Sequence, residues 1–547
     1  MPAMSPQANT LLQDALRCHQ QGRFDAAASL YRQVLALVPR QFDALHLLGV
    51  IARQQGDPGQ AAVLIRDALQ VSPDQARAHC NLGAALQDLG EPQAALDSYE
   101  TALRLDPQYA LAWDNRGNTL RRLGRLPEAL ESYERALALR PSYPEAWCHR
   151  ALALHDLGRF PEAAASAEQA LKARPAYPDA LLALGNALQE MEYFDDAVAA
   201  YDRALATAGR AEIWCARGAA LKKSGALQDA LHSYVRALAL RPDYAPAWHY
   251  RANALRALGR KDEAVAAYRQ ALALGADAAE VGFALAALGD GALPSSAPAD
   301  YVKNLFDQYA GHFDRHLVEV LAYRTPDLLA ALLRRHVPVS AAAPPDASHK
   351  SSSNSSLGTA LDAALDLGCG TGLCAPLLRP LVRRLAGVDL SARMLDKARE
   401  TGLYDELACA DIGAYLEDQA ACWDLVLAAD VFVYFGDLAP VFGQVRRALR
   451  PGGLFAFSVE ALEAAARPGD AGARAGTETG ADAGARARIG QDADYAITPA
   501  NRFAHALAYI EGIAHDAGFA LVEHAGAPLR REHGADIVGH LVLLRAA

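Results

Sequence analysis

The apolar and polar positions of this chain follow one rule up to about residue 290 and another beyond it. In the first half, small and apolar residues recur at helical spacing and the whole pattern repeats every 34 residues. Pro39, Pro73, Pro107, Pro141 and Pro175 mark the period; Gly209 takes the place once, and Pro242 resumes the series after a 33-residue unit. Gly49, Gly83, Gly117, Gly185 and Gly218 recur near the start of their units. Ala61, Ala95, Ala129, Ala163, Ala197, Ala230 and Ala264 recur in the middle, with Tyr99, Tyr133, Tyr201, Tyr234 and Tyr268 four residues after such an alanine. This predicts pairs of antiparallel helices: small residues let the helices approach, the aromatic fills the space between neighbouring hairpins, and the proline stops the second helix. No unit can bury its apolar face alone, so the units must stack.

The second half predicts helices over 301–322 and 326–336, then strands over 363–367, 384–390, 407–411, 425–429 and 454–459, each but the last followed by a helical stretch. Such alternation is that of a parallel sheet covered on both faces. A helix over 505–517 and two β-rich runs, 519–531 and 537–545, close the chain; joined through Glu532-His-Gly534, the two runs must pair antiparallel. Residues 289–300 are rich in Gly, Pro and Ser and predict a linker. Residues 340–359, with a run of serines, and 464–494, rich in Ala, Gly and Arg, predict disordered insertions.

The 547 residues are ample for several cores. A net charge of -11 argues against a nucleic-acid partner held by bulk positive charge. No apolar window of spanning length appears, so no membrane span is expected and cytoplasmic residence is the default. The eight cysteines form no CxxC pair and no Cys/His cluster at zinc spacing, so they read as reduced, mostly buried thiols and no metal is expected.

Chemistry concentrates at Asp366-Leu-Gly-Cys-Gly-Thr-Gly372, directly after the apolar run 361–365. Alternating glycines after a buried strand let the backbone touch a ligand, and an acid at the strand end can receive a cationic or hydroxyl group. Asp389 lies 23 residues beyond Asp366 at the end of the second strand, where a carboxylate can accept both hydroxyls of a ribose. A nicotinamide or flavin nucleotide would suit these features as well as any other nucleotide-derived cofactor.

The 34-residue unit resembles the tetratricopeptide repeat from about Ala8 to Ala276, in roughly eight units. The resemblance implies a solenoid over 8–288 whose inner groove takes a protein or peptide partner. One inner position carries Arg53, Gln87, Arg121, His155, Gln189, Lys222 and Arg256, which suits an extended acidic peptide or, equally, solvated cations at helix C-termini. Cys80, Cys148 and Cys215 share another inner position. Asn81 and Asn115 match the asparagine ladder of O-linked N-acetylglucosamine transferases, but His149, Ala183 and Ala216 break it.

Residues 301–547 resemble the class I S-adenosylmethionine-dependent methyltransferases, a doubly wound seven-stranded α/β sheet with an antiparallel C-terminal hairpin. The resemblance implies S-adenosylmethionine as cofactor, with Asp366, Gly368, Gly370 and Gly372 under its methionine and ribose and Asp389 on the ribose. Asp411 would face the adenine amino group, Leu390, Ile412 and Ala428 would adjoin the cofactor, and Asp430 would stand beside the sulfonium. Leu449-Arg-Pro-Gly-Gly-Leu454 matches the turn before strand five. The stretch from Phe306 to His316 resembles the leader of predicted bacterial methyltransferases carrying tetratricopeptide repeats, which folds over the cofactor; Tyr309 and Phe313 would be its neighbours there, or members of a packing stripe.

If the acceptor must lose a proton, His312, Asp430 and Tyr434 lead the candidates for the base, followed by His316, Glu460 and His505. Ala429-Asp-Val-Phe-Val-Tyr434 stands where amide and adenine methylases carry an Asn-Pro-Pro-Tyr type motif, which disfavours those acceptors. Three functions fit: methyl transfer with the repeats recruiting a protein, a small-molecule methyltransferase acting for example on a quinone or envelope metabolite with the repeats used for assembly, or a cofactor-binding adaptor without catalysis.

Overall fold

The computed structural model describes residues 4–310, 313–315, 317, 321–337, 361–462, 494–498, 500–532 and 535–547. The segments expected to be disordered, 340–359 and 464–494, lie outside the described residues except for Asp494. The chain divides into two compact units, Met1–Arg260 and Lys261–Ala547.

The first unit is a succession of seven helical hairpins, from Pro6–Gln20 with Phe24–Leu37 to Ala211–Lys223 with Leu227–Leu240, closed by the helix Ala245–Ala257. The second helices end at Leu37, Val71, Leu105, Leu139 and Ala173, each two residues before the periodic proline. The first helices end in a left-handed turn residue at Gly22, Gly56, Gly90, Gly124, Gly158, Gly225 and Gly259, a second period that suits glycine at the helix C-terminus. Glu192 occupies this place in one unit with φ 65°, a conformation costly for a side chain.

The tyrosines do not simply fill the gaps between hairpins. Each ring covers the glycine of its own hairpin so closely that a Cβ on Gly83, Gly117, Gly185 or Gly218 would lie 2.4–2.7 Å from the ring of Tyr99, Tyr133, Tyr201 or Tyr234. In the one unit of this series that lacks the glycine, Ala151 stands in its place and Ala167 replaces the tyrosine; both alanines are fully buried. The glycine and its tyrosine are thus replaced together in this hairpin, by a pair of smaller total volume.

The second unit opens with the helices Lys261–Ala273 and Ala278–Ala287. The predicted linker is tied in: the Ser295 carbonyl accepts from the Gly436 and Asp437 amides at 2.8 and 3.0 Å, and the Ala297 amide donates to the Tyr434 carbonyl at 2.8 Å. Phe283 packs 5.9 Å from Phe503 in the same cluster. The helix predicted over 301–322 is instead Ala299–Tyr309 and the single turn Phe313–Arg315, followed by the helix Thr325–His336.

Among the described residues nine strands form one sheet: β1 Leu361–Leu367, β2 Val382–Asp389, β3 Glu406–Cys409, β4 Trp423–Ala428, β5 Leu449–Ala461, β6 Tyr495–Ile497, β7 Phe503–His505, β8 Phe519–Glu532 and β9 Ala535–Ala546. The order β3-β2-β1-β4-β5 is parallel, β9 runs antiparallel along β5, and β8 pairs with β9 as predicted. Two strands exceed the expected seven: β6 and β7 form a short antiparallel pair, and β7 continues parallel to the end of β5. Three residues each, they are too short to show a period. His505, expected in a helix, therefore lies on β7, and the helix spans Leu507–Asp516.

Leu365, Val426 and Phe455 belong to the core on one face of the sheet, and Ala364, Leu425 and Leu454 to the core on the other. Burial on both faces is what makes these strands near-continuous apolar runs. The strand order reverses between β1 and β4, and a crevice opens there beyond the strand C-termini.

Gly185→Ala is expected to lower stability by about 1–3 kcal/mol through overpacking against Tyr201. Adding Tyr201→Ala should recover part of that loss, giving a non-additive double-mutant cycle. Additive losses of the urea midpoint would show that the pair does not pack as a unit.

Candidate functional site

A cleft of about 340 Å³ lies at the C-terminal ends of β1, β2 and β4. Its floor is the glycine loop: Gly368, Gly370 and Gly372 all have positive φ, at 63°, 54° and 92°. A Cβ on Gly368 would lie 2.6 Å from Val431, so only glycine fits.

Asp389 lines the cleft and braces the loop. Its Oδ2 accepts the Gly370 amide at 2.9 Å and its Oδ1 the Ser391 amide at 2.8 Å. Burial raises its pKa, against the pull of these amides. Gly368, Gly370, Leu390, Asp411 and Ile412 also line the cleft. Asp411 stands beyond the end of β3 and caps the helix Ile412–Glu417, its Oδ1 accepting the Ala414 amide at 3.1 Å.

Three expected cofactor neighbours stand elsewhere. Asp366 is 1% exposed and does not line the cleft; its Oδ2 accepts from the Tyr404 hydroxyl at 2.6 Å. Gly372 faces the same tyrosine, and a Cβ there would come 3.1 Å from its ring. Ala428 is buried within β4, and Ala429 takes its place at the wall. The side chain of Tyr309 and all of His312 and His316 lie outside the described residues. Phe313 is at the wall, 5.8 Å from Phe306, and Phe306 is 5.6 Å from Tyr434.

Leader and loop are joined by hydroxyl–carboxylate bonds: Thr371 donates to Asp314 and Ser391 to Asp307. Neither bond is legible in the sequence, because the partners lie 57 and 84 residues apart.

At the far end of the cleft is a buried ion cluster that sequence reasoning missed. Arg530, 4% exposed, donates from Nη1 to Asp430 at 3.1 Å, from Nε to Glu532 at 2.8 Å and from Nη2 to Glu460. Arg502 donates from Nη1 to Glu532 and comes within 3.8 Å of Glu460. Asp430 also accepts from the Ser458 hydroxyl at 3.0 Å, and its backbone is left-handed at φ 55°. Burial raises the pKa of Glu460, against the pull of Arg530 and Arg502. Burial likewise pushes the Tyr434 hydroxyl up to about 12, with Arg502 opposing. His505 is held by its Nε2 on the Gly436 carbonyl at 3.1 Å, and burial lowers its pKa to about 4, so it is neutral and outside the cleft wall. The only sequence signal for the cluster was an arginine directly after Leu529, near the end of the β-rich run 519–531, which if buried demands carboxylate partners.

In the repeat unit the inner track is largely self-neutralised. Arg53 pairs with Asp88 at 2.6 Å and Arg121 with Asp156 at 2.9 Å. Lys222 is exposed, and partial desolvation, then Arg256 and Lys223, lower its pKa. Asn81 is bonded to His46 at 2.9 Å and Asn115 to Cys80 at 3.6 Å, so these amides join neighbouring repeats rather than forming a ladder.

Residues 365–457 match the family described as a methyltransferase domain. Tetratricopeptide-repeat families match 20–76, 76–109, 98–131, 117–158, 148–212 and 245–277. The chain is therefore a class I methyltransferase-type domain carried behind tetratricopeptide repeats. No curated protein matches it. Among solved structures, the MamA protein is similar over 31% of this chain and 94% of its own, at 26% identity and TM-score 0.29. PilF of Pseudomonas aeruginosa is similar over 39% and 97%, at 24% identity and TM-score 0.35. YrrB, described as a TPR protein with an unusual peptide-binding site, is similar over 34% and 96%, at 22% identity and TM-score 0.29.

Burial pushes the Asp366 carboxyl up to about 7, the Tyr404 donor opposing and the Asp389 charge adding. A carboxyl whose folded pKa exceeds its unfolded one stabilises the fold below the unfolded value, and that contribution is lost as pH rises through the folded one. The unfolding midpoint of the domain is expected to fall between about pH 4 and pH 8, with Asp366→Asn flattening the slope. An unchanged slope in the variant would contradict the assignment.

Proposed function

We propose that the protein transfers a methyl group from S-adenosylmethionine to an acceptor held at the Arg502 end of the cleft, while the repeat groove recruits a protein partner or the substrate. The observation that carries this reading is Asp389, a buried carboxylate at the cleft wall braced by the Gly370 and Ser391 amides. Each of its oxygens gives one lone-pair direction to an amide and keeps another, enough for two ribose hydroxyls.

Gly368 and Gly370 give the backbone close approach to the donor, and Leu390, Ile412 and Ala429 supply an apolar wall for its base. The residue pairs Asp314–Thr371 and Asp307–Ser391 hold the leader against the loop, and the rings of Phe306, Phe313 and Tyr434 keep water out. The donor, consumed as a co-substrate, brings a methyl group already activated on a sulfonium, so the chain contributes placement and a dry site. The apolar, ring-lined cleft favours a second reading of the acceptor as a small molecule, with the repeats serving assembly.

Asp389→Ala removes two charge-assisted hydrogen bonds of about 1.5–3 kcal/mol each and is expected to weaken S-adenosylmethionine binding at least tenfold in titration calorimetry. Equal affinities would remove the donor reading. In the groove, the like-charge flank of Lys222 favours an acidic segment. Lys222→Glu is expected to weaken binding of a glutamate-rich peptide, by a margin that shrinks as salt rises; an effect independent of salt would argue against charge recognition.

A further inference from the structure

Among the described residues, the proton acceptors around the cleft are already committed. Asp430 accepts from Ser458 and Arg530, Glu460 faces Arg530 and Arg502, and His505 does not line the cleft. Donors, by contrast, are left over. Arg502 reaches its carboxylates through Nη1 alone, so Nε and Nη2, the two donors of one edge of the guanidinium plane, have no partner among the described residues. The Tyr434 hydroxyl has none either, and both side chains line the cleft.

Arg502 lines the cleft while the carboxylates that hold it, Glu460 and Glu532, do not, and both engage its Nη1, which leaves the Nε/Nη2 edge open. Such an edge matches a carboxylate side-on, with two parallel N–H···O bonds. An ammonium at the same place would face donors without acceptors, and an alcohol would have to give its proton to a group already spent.

We propose that the methyl acceptor is a carboxylate, held by the open edge of Arg502 and the Tyr434 hydroxyl and methylated on oxygen. The inference rests on the methyl-donor reading above. A carboxylate oxygen forms the new C–O bond as the methyl–sulfur bond of the donor breaks; the electron pair of that bond stays on sulfur. Sulfonium and carboxylate charges cancel, the products are an ester and a thioether, and no proton moves. The reaction therefore needs no base, in keeping with the pairing of Asp430 and Glu460 among the described residues. Asp430, locked by Arg530, is a positioning residue in this scheme and shapes the loop beside the acceptor.

The test is calorimetric titration of benzoate, benzylamine and phenol, three aryl probes of similar size, into the full-length protein saturated with S-adenosylhomocysteine. Benzoate is expected to bind and the other two to bind more weakly. Arg502→Gln should weaken benzoate roughly tenfold or more and Tyr434→Phe by a smaller factor, since bonds to a charged partner exceed neutral ones. Both variants should retain S-adenosylhomocysteine affinity, which reports an intact cleft. With methyl-labelled donor, benzoate should yield label that alkali releases as methanol. Tighter binding of benzylamine or phenol, absence of benzoate binding to the loaded protein, or benzoate affinity indifferent to both substitutions would overturn the proposal. Failure of S-adenosylhomocysteine itself to bind would instead sink the donor reading, and the acceptor with it.

Discussion

A guanidinium taken out of water needs carboxylates around it, and Arg530 draws two of its three from distant parts of the chain. Asp430 follows β4, Glu460 lies near the end of β5, and Glu532 lies two residues from Arg530 itself on β8. The charge thereby fastens the C-terminal hairpin to the open end of the parallel strands, and it fixes the loop on which Asp430 sits in a left-handed conformation. Removing one partner would strand a buried charge, so the cluster constrains far more of the fold than its few residues suggest. Arg502, gripped by the same carboxylates, is aimed by this arrangement rather than by its own short strand pair.

The opposite end of the cleft depends on the absence of side chains. Gly368 fits under Val431 only without a Cβ, and Gly387 is hemmed in by Cys369, Leu407 and Tyr404 at under 3 Å from where a Cβ would stand. Asp366 and Tyr404 form a buried pair beneath this loop, so the first acid of the motif supports the floor while Asp389 meets the ligand space. The repeats show a related fit: in four hairpins a tyrosine ring covers a glycine, and Ala151 with Ala167 replaces both in another.

Much of the architecture was readable because it rests on periodicity. The 34-residue spacing located the helix ends through its prolines, and five apolar runs separated by helical stretches located the parallel strands. What escaped were features without a period: the three-residue strands β6 and β7, the docking of Ser295 and Ala297 against the segment Tyr434 to Asp437, and the break in the leader after Tyr309. The inner cationic track looked continuous along the sequence, yet Arg53 and Arg121 are neutralised by acids 35 residues away in the following repeat.

By itself, the sequence determined that the chain consists of helical hairpins followed by a doubly wound sheet, and that a glycine loop and a following acid mark the ligand end of that sheet. Those facts follow from local spacing, which burial imposes on every helix and strand and which leaves its trace in consecutive residues. Only the tertiary structure decided which acids meet the cleft and which are spent: Asp366 turned inward to Tyr404, Asp430 locked by Arg530, Arg502 left with an open edge. Charge pairing acts through space between residues 70 to 100 positions apart, as Arg530 with Glu460 and with Asp430 illustrates, and no local pattern encodes such a distance.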